Sequence, residues 1–293
     1  MTVVKRKTCP ICQSCNLEAR PERLRDSETI GVLVCKDCSH VFLDSFDHVN
    51  DQYFVNDEFL LSKKFVQGVE GRLRHFEHEN QERLNRIGPL VTNKRVLEFG
   101  CGAGALMEKI RPLCETVEGI ERTNSFRQRM QERGFLVFEE IAEAHGPFDV
   151  ILMFHVLEHL GEPVKAIEDC VERLAPGGLL YIEVPNINDA LLRLYDIEAY
   201  HRFHFFKDHL HYFSRASLME TIRQAGAREV TVSGHSRFGL ANHLYWLKEG
   251  RPGGHMVWNF LETPSLFREY TRALAAADMS DSLVAQIRVS VSP

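Results

Sequence analysis

The sequence predicts an α/β fold in which a mainly parallel sheet carries helices on both faces, with a small cysteine-rich ribbon at the N-terminus. Two patterns predict it. Over residues 93–250, short apolar runs alternate with helical segments, which is typical of βαβ units. Five of the eight cysteines fall within the first 38 residues, which indicates a separate module there.

The predicted strands are short and apolar, as expected for strands that are buried on both faces of a parallel sheet. They are Arg95–Phe99, Thr116–Ile120, Phe148–Met153 and Leu179–Val184. A Gly-rich turn follows the first of these strands, and a helix begins at Ala105. A second helix follows the second strand and runs through Arg133.

We expect four regions along the chain. They are a ribbon at 1–45, a helical connector at 46–92, the sheet domain at 93–250 and a C-terminal helical tail at 251–293. Apolar residues recur at helical spacing in the connector, at Phe65, Val69, Leu73 and Phe76. Gly88-Pro89 is expected to end that helix, and the turn from Arg251 to Gly254 opens the tail.

Composition disfavours several classes of protein. The net charge of −6 and the pI near 6.2 leave no basic field to gather phosphates, so a nucleic-acid partner is disfavoured. No apolar run reaches the ~20 residues of a membrane span. The N-terminus lacks the apolar core of a signal peptide. We therefore expect a cytoplasmic protein with no membrane partner, and the sequence leaves its oligomeric state open.

Two C-x2-C pairs, Cys9/Cys12 and Cys35/Cys38, are separated by 22 residues. Four thiolates at this spacing suit tetrahedral Zn²⁺, and without a secretion signal they indicate a metal site rather than disulfides. A site of four thiolates is closed to substrate, so the expected role of the zinc is structural, in a segment whose core is too small to fold alone. Cys15 forms a competing pair with Cys12 and is expected to be a spare cysteine.

The segment Glu98-Phe-Gly100-Cys-Gly102-Ala-Gly104 joins the first strand to its helix. Glycine permits positive φ and lets a ligand approach the backbone, and the helix N-terminus beyond it offers N–H groups to an anion. Glu121 ends the next strand, about twenty residues on, where a carboxylate can accept both hydroxyls of a ribose. The third glycine comes one position earlier than in the dinucleotide-binding pattern, which disfavours a dehydrogenase.

This turn resembles motif I of the class I S-adenosylmethionine-dependent methyltransferases, whose sheet is Rossmann-like. Three further stretches match that family's pattern in order: Phe148–Ile151, His155–Leu160 and Leu174–Gly178. The resemblance covers residues 90–235. It implies an enzyme that binds S-adenosylmethionine and transfers its methyl group.

The resemblance also implies where the donor binds. The residues expected to contact it are Glu98 (the turn or the donor's amino group), Gly100, Gly102 and Gly104 (the methionine part), Glu121 (the ribose), Glu140, Ile141 and Ala142 (the adenine), and Phe154 and His155 (the sulfonium).

Two other segments resemble parts of sugar-modifying methyltransferases. Cys38–Leu43, followed by Tyr53-Phe54, resembles the zinc-binding segment before many bacterial enzymes that methylate sugars, sugar nucleotides and related small metabolites. Asp208–Ser214 resembles the active-site stretch of deoxysugar C-methyltransferases, whose pattern is Tyr-His-Glu-His-Leu. Phe206 and Lys207 depart from that pattern, so methylation of oxygen is at least as well supported as methylation of carbon.

Histidines supply the expected chemistry. Transfer to a hydroxyl requires removal of one proton, and a neutral histidine is the natural base near neutral pH. We expect His209 to be the base, with His159 or His211 as the second candidate. Glu158 and Asp208 are the other candidate catalytic residues, Asp208 as the acid that stands beside His209 in the stretch resembling the deoxysugar enzymes. In one alternative, Glu158, His159 and a later histidine bind Mg²⁺ or another divalent ion that lowers the pKa of the hydroxyl. In another, Glu158 and His159 only shape the fold.

The preferred function is methyl transfer to a small hydroxyl-bearing metabolite, such as a sugar or a sugar nucleotide. Zinc ribbons also precede a group of ribosomal RNA guanine methyltransferases, so an RNA methyltransferase is the main alternative. A chain that retains the fold without catalysis is another. The stretch from Arg237 to His243 is expected either to contact the acceptor or to complete the sheet.

Overall fold

The computed structural model describes residues 5–49, 53, 71 and 76–290. Its strands are β1 (Leu17–Arg20), β2 (Val32–Cys35), β3 (Val41–Leu43), β4 (Arg95–Phe99), β5 (Thr116–Ile120), β6 (Leu136–Phe138), β7 (Phe148–Phe154), β8 (Leu174–Pro185), β9 (His211–Tyr212), β10 (Glu229–His235) and β11 (Ser282–Arg288). Its α-helices are α1 (Glu77–Val91), α2 (Ala105–Ile110), α3 (Asn124–Glu132), α4 (Pro163–Glu172), α5 (Ala190–Arg193), α6 (Glu198–His204), α7 (Arg215–Gln224), α8 (Leu240–Glu249), α9 (Gly254–Val257) and α10 (Pro264–Ala276). Three short 3-10 turns lie at Ile141–Glu143, Leu157–His159 and Asn259–Leu261.

The large sheet has seven strands in the order β10-β11-β8-β7-β4-β5-β6. The strands from β8 to β6 are parallel to their neighbours, whereas β11 runs antiparallel to both β8 and β10. Both faces of the central strands are buried: Leu97 and Ile151 belong to one apolar core, and Val96 and Val150 to the other. The predicted Rossmann-like α/β fold is confirmed.

The C-terminal region differs from the predicted helical tail. Strand β11 inserts between β10 and β8, so the sheet domain extends well beyond residue 250. Leu283 and Ile287 are buried in one core and Val284 in the other. A short strand that is apolar on both faces cannot be separated from a helix by periodicity, and this one follows a helical stretch.

Helix α1 covers one face of the sheet, where Ile87 and Val91 pack near Leu106. It continues through Gly88-Pro89 and ends at Val91, two residues beyond the expected end. The predicted apolar positions 65, 69 and 73 of the connector lie outside the described residues. No helix in the described part of the chain is long and apolar enough to cross a membrane.

The N-terminal ribbon forms a second sheet that is completed by the large domain. Strands β1, β2 and β3 are antiparallel, and β9 pairs with β3 so that Val41 faces Tyr212 and Phe42 faces His211. Apolar side chains of both parts, including Leu43 and Tyr212, share one buried cluster. The ribbon is therefore packed onto the segment that follows β8.

A candidate active site at the carboxyl end of the sheet

A cavity of about 430 Å³ opens at the carboxyl ends of β4, β5 and β7, the edge at which α/β sheets bind ligands. Its volume is in the range of small-molecule sites. The turn after β4 and the turn after β7 both contribute to its wall. The lining residues are Phe76, Glu79, Asn80, Arg83, Glu98 to Ala103, Ala105, Leu106, Ile120 to Thr123, Phe126, Phe154 to Val156, Glu158 to Leu160, Pro185, His209 and Arg237.

The three glycines of the turn are required for different reasons. All have positive φ, at 76° for Gly100, 54° for Gly102 and 82° for Gly104. A Cβ would lie 2.4 Å from Val156 Cγ2 at the first position and 1.9 Å from Met130 Sδ at the third, so packing requires glycine there. A Cβ on Gly102 would have no described atom within 4 Å. Gly102 therefore leaves space at the cavity wall for a ligand.

Two buried carboxyl groups flank the turn. Glu121 accepts hydrogen bonds from the Gly102 N–H at 2.8 Å and from the Thr123 N–H at 2.7 Å. Glu98 is 6% exposed, and its Oε2 has no hydrogen-bond partner among the described residues. Burial raises the pKa of Glu98 to about 8. Because an unpaired buried carboxylate is costly, Glu98 is suited to pair with a cationic group of a ligand.

His155, directly after β7, bridges two buried carboxylates. Its Nδ1 lies 3.3 Å from Glu158 Oε1, and its Nε2 lies 3.1 Å from Glu183 Oε1. Burial alone would lower the pKa of His155, but these hydrogen bonds raise it. Glu183 also pairs with Arg86 and lies 3.7 Å from Arg83. His155, whose φ is 53°, is therefore held in place by charged neighbours at the cavity wall.

Glu158, His159 and His209 form a compact group at the wall, with candidate ligand atoms within 4.8 Å of one another. His209 Nε2 lies 4.0 Å from Glu158 Oε1, and the ring centroids of His159 and His209 are 4.8 Å apart. His159 Nδ1 contacts the carbonyl oxygen of Asp208 at 2.6 Å. A carbonyl only accepts, so this Nδ1 carries the proton and Nε2 is the basic nitrogen. Glu158 is fully buried, and its Oε2 has no hydrogen-bond partner in the described part of the chain.

Two predicted catalytic residues do not line the cavity. His211 is 1% exposed, with Nδ1 2.9 Å from His40 Nε2 and Nε2 2.9 Å from the Leu160 carbonyl oxygen. Burial lowers the pKa of His211 to about 3. Asp208 is also buried and accepts a hydrogen bond from the Tyr53 hydroxyl. Contrary to the expectation that they act on the acceptor, the structure places neither side chain in the described wall of the cavity.

The loop expected near the adenine also lies away from the cavity. Ile141 and Ala142 belong to a 3-10 turn, and the exposed Glu140 carboxylate lies 3.4 Å from Arg122. None of the three is among the described residues that line the cavity, although Arg122 is. Their assignment to the adenine is therefore not supported by this geometry.

A network of charged side chains next to the histidines was predicted only at Arg237, which lies in the stretch that was expected either to contact the acceptor or to complete the sheet. Glu79 and Arg83 of α1 line the cavity together with Arg237, which lies 3.6 Å from Glu79 and 3.1 Å from Asp281. Glu183 offered a signal, because it is a charged residue inside the apolar run of β8. The residues of α1 offered none, because an acid and a base at i,i+4 are typical of an exposed helix face.

The four cysteines predicted to bind zinc lie together. Cys9 Sγ is 3.6 Å from Cys38 Sγ, Cys12 Sγ is 3.5 Å from Cys35 Sγ, and all four sulfurs lie within 4.8 Å of one another. Tetrahedral Zn–S bonds of ~2.3 Å separate sulfurs by about 3.8 Å, so the group fits one zinc ion. Cys15 is exposed and lies outside this group. The zinc itself stays a prediction.

Comparison with known proteins places this geometry in a family context. Residues 72–232, more than half of the chain, match the model of a family described as a methyltransferase domain. Two relatives are each named ubiquinone biosynthesis O-methyltransferase. The one from Shewanella halifaxensis is 31% identical over an alignment of 133 residues that covers 41% of this chain and 56% of the relative. The one from Caulobacter sp. is 30% identical over an alignment of 158 residues that covers 50% of this chain and 62% of the relative.

The matched segments thus span little more than half of these relatives. Among solved structures, the fold is similar to a SAM-dependent methyltransferase from Thermotoga maritima, described as a possible histamine N-methyltransferase, with a TM-score of 0.50, 20% identity and coverage of 75% of this chain and 95% of that one. It is also similar to an N-methyltransferase from Haemonchus contortus, with a TM-score of 0.51, 16% identity and coverage of 86% and 63%. At these identities the likeness concerns the fold alone.

Proposed function

The chain belongs to the methyltransferase-domain family, and we propose that it transfers the methyl group of S-adenosylmethionine to a hydroxyl of a small molecule. One observation carries the proposal: two sets of groups share one cavity. The first is the glycine turn with Glu98 and Glu121, and the second is the group Glu158, His159 and His209. The first set suits the donor and the second suits proton removal from the acceptor.

Glu98, Gly102 and Glu121 would hold the donor. The Glu98 Oε2, which has no hydrogen-bond partner within the described ranges, suits the donor's amino group, and the space beside Gly102 allows the methionine part to approach the backbone. The Glu121 oxygens are oriented by two backbone N–H groups, and each keeps a second lone pair for a ribose hydroxyl. When bound, the donor supplies a methyl group that is activated by its sulfonium.

We assign proton removal to His209. It lines the cavity, and the Glu158 carboxylate at 4.0 Å would stabilise the imidazolium that forms when the proton is taken. Ring contacts with Phe206, at 4.1 Å between centroids, and with His159 limit the movement of the imidazole. A base held in this way contributes about 10²–10⁴-fold to rate.

The atom that is methylated is proposed to be oxygen. Both relatives described above are named O-methyltransferases, and they act in ubiquinone biosynthesis, which supports a small-molecule acceptor with a hydroxyl. The likeness of Cys38–Leu43 and Asp208–Ser214 to segments of sugar-modifying enzymes supports a sugar or a nucleotide sugar. Phenols and carbohydrates are therefore the two acceptor classes to compare.

The test follows a labelled methyl group from S-adenosylmethionine to nucleotide sugars, phenols and ribosomal RNA. His209→Gln should lower turnover at least about 10²-fold while the calorimetric affinity for the donor changes by less than about twofold. His201→Gln is the matched control, because His201 pairs with Asp196 at 2.9 Å and does not line this cavity. Failure to bind the donor at millimolar concentration would refute the proposal. Transfer to RNA alone would favour the RNA-modifying alternative.

A divalent cation offers a second route to the same product. Glu158, His159 and His209 would hold it, through the Glu158 Oε2 and the basic Nε2 of His159 among other atoms. The cation would lower the pKa of the acceptor hydroxyl. Turnover that falls on chelation and returns with Mg²⁺ or Mn²⁺, at constant zinc content, would support this route. Turnover that is insensitive to chelation would support the histidine base alone.

A further inference from the structure

The ribbon touches the segment that carries His209, and we infer that the ribbon is a positioning element for the acceptor side of the cavity. His40 is the positioning residue: through His211 it fixes strand β9 and so the direction of the His209 imidazole. The kinetic readout of this inference rests on the proposed function, whereas its structural readout does not.

Side chains connect the ribbon directly to the turn after β7. His40 is fully buried, two positions after Cys38, and its Nε2 lies 2.9 Å from His211 Nδ1. The other nitrogen of His211 lies 2.9 Å from the carbonyl oxygen of Leu160, which only accepts. His211 Nε2 therefore carries a proton, and its Nδ1 accepts one hydrogen bond from His40. The hydrogen bonds therefore run from His40 through His211 to Leu160, the residue after His159.

Backbone hydrogen bonds hold the residue after His209 from two sides. The Leu43 N–H at the end of β3 donates to the Leu210 carbonyl at 3.0 Å. The Leu210 N–H donates to the Glu158 carbonyl at 2.8 Å. Leu210, the residue after His209, is thus held by the ribbon through its carbonyl and by Glu158 through its N–H. A displacement of β3 would change the position of the imidazole relative to the Glu158 carboxylate.

Apolar packing alone could dock the ribbon without this polar pair. The His40 ring lies 5.7 Å from the Phe42 ring and 5.1 Å from the Phe213 ring, in a cluster where a phenylalanine is compatible with the surroundings. A buried imidazole nitrogen is costly unless it is paired; the Nε2 of His40 is paired with His211, while its Nδ1 has no hydrogen-bond partner among the described residues. The hydrogen bond between His40 and His211 therefore fixes the relative orientation of the two rings, which hydrophobic contact alone does not fix.

The experiment compares His40→Phe with His40→Gln in the zinc-loaded full chain. Phenylalanine keeps the packing and loses the hydrogen bond, whereas the glutamine amide can replace Nε2. Lys36→Ala is the control, because it removes only an exposed ribbon ion pair with Glu18 at 2.8 Å. We expect His40→Phe to lower kcat at least about tenfold at unchanged zinc content and donor affinity, because small misplacements of a catalytic group cost this much. The other two variants should keep kcat within about threefold.

The second readout is the Cε1–H resonance of His209 in the histidine-labelled chain, assigned by its loss in His209→Gln. It should move in His40→Phe and not in His40→Gln. A folded, zinc-loaded His40→Phe with normal kcat and an unmoved resonance would overturn the inference. If that variant loses zinc, chelation of the unmodified chain replaces it: the resonance should move while donor binding survives, and loss of donor binding would overturn the inference.

The two proposals fail in different ways. The His209 resonance can be measured without an acceptor. A chain that binds the donor but transfers no methyl group would therefore refute the proposed function alone. A chain that transfers the methyl group and that keeps a normal kcat and an unmoved His209 resonance after His40→Phe would refute the positioning role alone.

Discussion

Glu98 predicts that donor binding releases a proton. Burial raises the pKa of its carboxyl to about 8, so near pH 7 most of it is protonated, whereas pairing with the donor's ammonium requires the carboxylate. Binding therefore lowers the pKa of Glu98, expels up to one proton and strengthens as the pH rises toward 8. The ionised fraction of a group with a pKa of 8 grows about ninefold between pH 6 and pH 7, and the association constant should grow equally.

Calorimetric titration with S-adenosylmethionine from pH 6 to pH 7, in buffers of different ionisation enthalpy, measures both the affinity and the proton count. The donor's own α-amino group, with an ordinary pKa of about 7.7–8.0, stays mostly protonated in this interval, so the change in affinity reports on Glu98. Glu98→Gln should bind the donor more weakly and lose the pH dependence, while Asp149→Asn, which alters an ion pair with Arg95 at 3.3 Å, should retain it. A donor affinity that is constant across this interval would refute the pairing of Glu98 with the amino group.

Four substitutions give further expected outcomes. Gly104→Ala should lower the free energy of unfolding in urea by about 2–5 kcal/mol, because its methyl group meets Met130 and its φ is 82°. Gly102→Ala should lower it by only about 1–2 kcal/mol, yet weaken donor binding at least about tenfold by calorimetry, because its methyl group enters the cavity. Cys38→Ser should reduce the zinc content in metal analysis and lower the melting temperature. Glu158→Gln should lower turnover at least about tenfold at unchanged donor affinity, and equal turnover would exclude a role for its charge.

The part of the cavity that is proposed to hold the donor could be predicted because its residues are close in sequence. One strand, one turn and the end of the next strand bring Glu98, Gly102 and Glu121 together, because β4 and β5, consecutive in the large sheet's part of the chain, are also parallel neighbours in that sheet. The positive φ of the glycines was implied by their residue type. Short-range pattern is sufficient for such a site, since no distant segment has to be placed.

The histidines could not be ranked in the same way. His209 and His211 stand two residues apart in one polar segment and differ in sequence only by position. Which of them faces the cavity depends on where β9 begins, and β9 is a two-residue strand whose limits are set by pairing with β3 of the ribbon. The partner that buries His211 is His40, far away in the chain. Secondary-structure propensity and hydrophobic periodicity carry no information about a contact between residues so far apart in the chain.

The division of the cavity has a consequence for specificity. The residues proposed to hold the donor, Glu98, Gly102 and Glu121, all fall inside the segment 72–232 that the family model matches, whereas His40 and Arg237 fall outside it. In the proposed mechanism, the acceptor side is therefore completed by parts of the chain that the family model does not cover. We expect proteins that share the matched segment to bind the same donor and still differ in acceptor, because the proposed position of His209 depends on a ribbon contact and Arg237 adds a charge to the same cavity wall. The proposal thus assigns part of the choice of acceptor to the ribbon and to the segment after β10.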